Sequence, residues 1–252
     1  MTLALDLTLL LVAGVYTWTW CASRRAEPSA SSARHLLAFF LGLAFLWLGM
    51  ASPIAHLDQG HLTGHMIQHL LIMTLAAPLL LLGEPFQARS TSPWSAPHPV
   101  LCWLAGTGVV LAWHVPVVFA FGMRWHGFQH VTFLVAGLLF WLPVLRPRPT
   151  VSHWPRWSIP LYLFLATLPC DGLSAFLAFC GHVVYPQYGA MPAGCTMHLG
   201  GLSPLEDQAR AGALMWFWVT IAYLVPAALV TIQLLSPSQS SRPVTSNSDS
   251  TL

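Results

Sequence analysis

Apolar runs long enough to cross a bilayer recur along the chain at about 3–22, 35–52, 62–83, 100–120, 127–145, 158–181 and 208–235. A spanning helix needs about 20 predominantly apolar residues. The pattern therefore predicts an all-α integral membrane protein, a seven-transmembrane-helix bundle over residues 1–235. The first run begins at residue 3 with no basic stretch before it, so it is expected to stay as a span and not to be cleaved as a leader. The last stretch, 236–252, "SPSQSSRPVTSNSDSTL", is too polar and serine-rich to pack and is expected to be a disordered tail.

Composition supports this reading: 56% of the 252 residues are hydrophobic, 7% are charged and 12 are tryptophan. The chain has no lysine, and its arginines fall unevenly between the predicted spans. Arg24, Arg25, Arg34, Arg89, Arg146, Arg148, Arg156 and Arg242 lie on one side, with only Arg124 and Arg210 on the other. By the positive-inside rule the N-terminus faces outward and the C-terminus lies in the cytoplasm. Without lysine there is no Schiff-base partner for retinal. No phosphate-cradling glycine loop, nucleophile elbow or basic patch for nucleic acid occurs, and no enzymatic activity is expected.

In that topology the histidines are lopsided. His56, His61, His65, His69, His114, His126, His130, His182 and His198 fall at the outer side, and only His35, His98 and His153 at the inner. In "HLTGHMIQHLLIM" residues His61, His65 and His69 recur every fourth position, which puts them on one helix face. At about 100° per residue, Met66 and Met73 flank that stripe on one edge and Gln68 on the other. The fifth run repeats the device with His126 and His130 in "WHGFQHVTF", and the fourth adds His114 in "AWHVP". Imidazole pairs at this spacing on neighbouring helices can complete the shell of one metal ion, and imidazole with thioether nearby favours copper over oxygen-seeking cations. The competing reading is that these groups only hydrogen-bond helix to helix.

Asp171, in "LPCDGL", lies mid-span, where an ionised carboxylate is expensive; it is expected to be neutral, paired or functional, with a role in tuning a site favoured over direct ligation. Pro169 and Gly172 around it predict a local break in the helix. In "SPLED" residues Ser203, Pro204 and Glu206 fit a helix start with a capping box, while Glu206 and Asp207 also lie where an outer-facing acid could help capture metal. Cys180 and Cys195 both face the outer compartment, where a disulfide is permitted. Alternatively Cys195 joins Met191, Met197 and His198 of "MPAGCTMH" as a soft ligand set suited to cuprous copper; the two fates exclude each other.

Four stretches carry a resemblance. "TGHMIQHLLIMTLAAPLLLLGEP", "WHGFQHVTFLVAGLLFWLPV", "LPCDGLSAFLAFCGHVVYPQY" and "GLSPLEDQARAGALMWFW" are similar, in this order, to the signature blocks of the caa3-type cytochrome c oxidase assembly-factor family. The first two spans match only in hydropathy. The resemblance implies a multi-pass protein of the bacterial inner membrane that is needed to form active haem–copper oxidase, with a part in providing copper. Residue by residue it carries over His65, Gln68 and His69, then His126 and His130, then Asp171, and last Asp207 and Gln208. Gln129 departs from the family pattern, which has an acid between the two histidines, and the "MPAGCTMH" loop has no counterpart in it.

The expected partners are cytochrome c oxidase subunits or a copper chaperone, together with the lipid bilayer, and no nucleic acid. Two other functions compete. Histidines on neighbouring helices can also ligate haem iron, which would make a membrane cytochrome. A copper permease would need polar groups continuing inward, and few lie beyond Asp171.

Overall fold

The computed structural model describes residues 2–26, 33–52, 60–83, 98–145, 155–188 and 202–236. Within them the chain is helical, with no strand. Helices α1 (Thr2–Ala26) and α2 (Ala33–Met50) are followed by α3 (Leu62–Leu70), which runs on through a π-helical segment, Leu71–Ala76, into α4 (Ala77–Gly83). Next come α5 (Pro99–Trp113), α6 (Pro116–Arg124), α7 (His126–Leu145), α8 (Ser158–Phe179) and α9 (Pro204–Leu235). Six helical stretches are long and apolar enough to cross a membrane, and the bent pair α5–α6 raises the number to as many as seven. The tail beyond residue 236, His56, and the soft-ligand residues Met191, Cys195, Met197 and His198 lie outside the described residues, as does any pairing of Cys195 with Cys180.

The fourth run differs from the continuous span expected over 100–120. Its helix stops at Trp113 and restarts at Pro116, turning by 86°. Pro116 has no N–H to continue the ladder and disfavours helical backbone at the residue before it; Val115 is accordingly extended, at φ −67° and ψ 125°. At about 1.5 Å per residue the 15 residues of α5 reach only about 22 Å, short of the roughly 30 Å hydrocarbon core. The opposite correction applies to α8, which runs unbroken through Pro169 and Gly172 where a break was expected. Its neighbouring turns hold by local bonds, Ser174 Oγ donating to the Cys170 carbonyl at 2.7 Å and Thr167 Oγ1 to that of Phe164 at 2.8 Å. Such side-chain and neighbour-helix support is how proline is accommodated inside spanning helices.

Two glycines set the packing that positions the histidine helix. A Cβ on Gly212 would lie 2.7 Å from the Ala178 nitrogen, so its absence lets α9 press backbone to backbone on α8. On α7, Gly137 faces Ala77 and Met73 so closely that a Cβ would lie 3.0 Å from the Ala77 side chain, which seats α7 against the π-helical segment.

That segment is itself tied down. The Ala77 N–H donates five residues back, to the Ile72 carbonyl. The Met73 carbonyl receives Trp141 Nε1 at 2.9 Å, and Thr74 Oγ1 accepts from Trp218 Nε1 at 2.7 Å while donating to the Leu70 carbonyl at 2.6 Å. Single π turns inside α-helices concentrate at functional sites. This one begins two residues after His69.

Candidate metal centre

The histidine end of the bundle begins with the N-terminus of α3. His61 occupies the cap position with extended backbone, yet its side chain caps nothing. The free amides are satisfied from α9 instead: Asp207 accepts from Leu62 N at 2.6 Å, from Thr63 N at 3.4 Å and from Thr63 Oγ1 at 2.6 Å. A carboxylate at a helix N-terminus satisfies orphan amides and complements the helix dipole. Asp207 thus orients the histidine helix, which differs from the metal-capture role weighed for it. The start of α9 matches the sequence expectation, with Ser203 and Glu206 closing a reciprocal capping box after Pro204 takes the first turn. His61 itself is buried.

One turn further, His65 and His69 turn toward each other. Their Nε2 atoms are 2.6 Å apart, sharing one hydrogen, with ring planes at 86°. Both are buried, at 1% and 5% exposure. The His130 ring on α7 stands 6.0 Å from that of His69 between centroids. His126, at the partly exposed start of α7, and His114 at the α5–α6 corner lie within electrostatic range of His69, as do His65 and His130. Three helices, α3, α5 and α7, therefore bring His65, His114, His126 and His130 within range of His69.

The donor geometry can be compared with that of a metal shell. Nitrogens on one tetrahedral ion, each at about 2.0 Å, sit about 3.3 Å apart, and the rings that carry them have centroids about 5 Å apart. The His69–His130 separation of 6.0 Å would have to close by about 1 Å, and the His65–His69 pair, with centroids 4.1 Å apart, to open by about as much. As it stands, no group of three His, Cys, Asp or Glu side chains among the described residues has its donors already gathered. The hydrogen-bonded pair is nonetheless incomplete, because Nδ1 of His69 is buried without a hydrogen-bond partner whichever ring holds the shared proton. An orphaned polar atom at such depth calls for a water or ion. Gln129 is fully buried, and neither its Oε1 nor its Nε2 has a hydrogen-bond partner.

The remaining predicted residues divide. Gln68 is buried on the same helix, while Met66 and Met73 open onto a small cavity that His69 and His114 also line. Gln208 is spent elsewhere, as its Oε1 accepts from Val184 N at 2.7 Å while its Nε2 donates to the His182 carbonyl at 3.1 Å and contacts the Cys180 sulfur at 3.1 Å. The Cys180 sulfur also lies 3.1 Å from the His182 carbonyl. Asp171 is partly exposed on α8 and receives Thr220 Oγ1 from α9 at 3.5 Å; its neighbour Cys170, not Asp171, lines the cavity.

The sequence reading missed the cover of the site. After α8 the chain folds back through a short turn, Pro186–Tyr188. Tyr185 OH donates to the His114 carbonyl at 2.7 Å, and burial holds that phenol above its usual ionisation range. Phe119 of α6 packs on the His65 ring at 4.9 Å and on Tyr185 at 4.3 Å. The available signal was two tyrosines around a proline in "VVYPQY", just past a span. Tyr223, at the cavity wall, packs ring on ring with Phe140 and Trp141, and Phe140 with Tyr162, with centroids 5.1–5.9 Å apart among the pairs that join them.

No curated protein and no solved structure matches this chain. The sequence model of one family matches residues 14–236, most of the chain, and the blocks it spans carry the buried imidazoles, the Asp207 cap and the Gln208 anchor described above. The chain belongs to the cytochrome c oxidase caa3 assembly factor family.

Proposed function

We propose that this protein supports oxidase assembly in the bacterial inner membrane by holding copper at the imidazole cluster of His65, His69 and His130, with His126 at its edge. The copper is passed to an oxidase subunit or a copper chaperone at the outer face. The role is one of binding and delivery, not catalysis. The observation that carries this reading is the buried His65–His69 pair, with nitrogens 2.6 Å apart and Nδ1 of His69 left without a partner, facing a third imidazole across α7. Imidazole nitrogens suit copper and zinc, and the adjoining thioethers tilt the choice to copper.

Two competing functions fit less well. A haem between these histidines would need a planar slot, whereas Phe133 packs on His69 at 3.9 Å and Phe119 on His65 at 4.9 Å. A permease would need a polar route inward, whereas Tyr223 at the cavity wall is backed by the rings of Phe140 and Trp141, and Phe140 by that of Tyr162.

The test is the double variant His65→Ala/His69→Ala, compared with the unaltered protein for copper content and for oxidase activity in cells grown at low copper. Loss of both, with membrane levels of the protein unchanged, is expected. Normal oxidase activity at low copper would refute the site, and a Soret band shifting on reduction would replace copper with haem.

A further inference from the structure

Next to the imidazole pair, two atoms face each other that have nothing to exchange. Nδ1 of His114 lies 2.7 Å from the Val110 carbonyl, one turn back on α5. A carbonyl only accepts, so the N–H sits on Nδ1, and in the neutral ring Nε2 is a bare lone pair. That Nε2 points at Sδ of Met66, 3.4 Å away. A thioether has no hydrogen to give either. Both residues are buried, at 6% and 1% exposure.

A cation does relieve it. Imidazole nitrogen at about 2.0 Å and sulfur at about 2.3 Å from one tetrahedral ion stand about 3.5 Å apart, close to the separation found here. A ring N–H donated to a backbone carbonyl is the outer contact that fixes the tautomer of metal-ligating histidines. His114 and Met66 also open on the cavity whose wall includes Met73, Met215 and Cys170. Methionine is unbranched and adaptable enough to swing a third sulfur into place. Soft thioethers with one imidazole select a cuprous ion over harder cations.

We propose that His114 and Met66, completed by Met73 or Met215, form a second, thioether-rich site for cuprous copper behind the His65–His69 pair. The proposal rests on the reading above only in naming copper as the metal. Its ligand set does not include His65, His69 or His130, so the two sites fail separately.

The experiment loads the purified full-length protein with cuprous copper anaerobically and records copper-edge X-ray absorption, with equivalents counted by competition against a chelator. Sulfur scattering near about 2.3 Å and a second bound equivalent are expected. The triple variant Met66→Leu/Met73→Leu/Met215→Leu should lose the sulfur shell and that equivalent while keeping the nitrogen-bound copper. His65→Ala/His69→Ala should do the reverse. Selenomethionine-labelled protein, read at the selenium edge, should show a copper neighbour and does so without any change to the fold. A copper shell free of sulfur in the unaltered protein, or no copper neighbour at selenium, overturns this site and leaves the imidazole site standing. Absence of copper binding altogether overturns both.

Discussion

Thr63 and Asp207 are 144 residues apart in the chain, yet the Thr63 hydroxyl donates to the Asp207 carboxylate at 2.6 Å. With the Leu62 amide on the second carboxylate oxygen, α9 supplies the cap that the first turn of α3 lacks. Asp207→Ala should cost about 1–2 kcal/mol, as loss of a helix cap does, and lower the melting temperature in detergent. Asp207→Asn should recover part of the loss, since its amide oxygen still accepts one N–H. Copper retained per folded molecule should fall only modestly in both; complete loss in the asparagine variant would instead make Asp207 a ligand.

A second expectation concerns Gln129, whose buried amide has no hydrogen-bond partner on either atom. Exchanging an unsatisfied polar group for an apolar one of similar shape removes a desolvation penalty of about 1–3 kcal/mol. Gln129→Met should therefore leave the metal-free protein as stable as before or more so in denaturation experiments. A marked destabilisation would mean that the amide has a partner in solution.

Hydrogen exchange reads the anchoring of the cover. Gln208 accepts the Val184 amide and donates to the His182 carbonyl, so Gln208→Ala should release residues 182–185 and speed exchange at Val184. Each 1.4 kcal/mol lost corresponds to about tenfold in the opening equilibrium, and a lost buried hydrogen bond is worth about that much. Unchanged exchange at Val184 would show that the turn is held by Tyr185 alone.

Tyr185 gives a pH dependence. Burial raises its phenol above the usual value near 10, so the folded protein keeps the proton where the unfolded chain releases it. The contribution is intact below about pH 10 and is lost as the pH rises from there through the folded value. Stability measured from neutral to strongly alkaline pH should fall less steeply in Tyr185→Phe than in the unaltered protein. Parallel curves would remove Tyr185 from the account.

Legibility followed the range of each interaction. The four-residue spacing of His65 and His69, and of His126 and His130, is a local property of a helix, and it pointed to groups that the fold brings together. The capping box at Ser203 and Glu206 was readable for the same reason. The turn at His114 was signalled by Pro116, but the long apolar run hid it. Asp207 and Gln208 sit side by side in a motif that looks like an ordinary helix start, and only tertiary contacts send one to α3 and the other to the turn after α8. The π-helical segment leaves no sequence signature of its own in "LIMTLA"; it exists because Trp141 and Trp218 fasten it from outside.

The aromatic layer of Phe140, Tyr162, Trp141 and Tyr223 has one further consequence. Through Tyr223 it lends the cavity beside His69 and His114 one rigid wall, so any adjustment of that cavity falls to the unbranched Met66, Met73 and Met215 of the same lining.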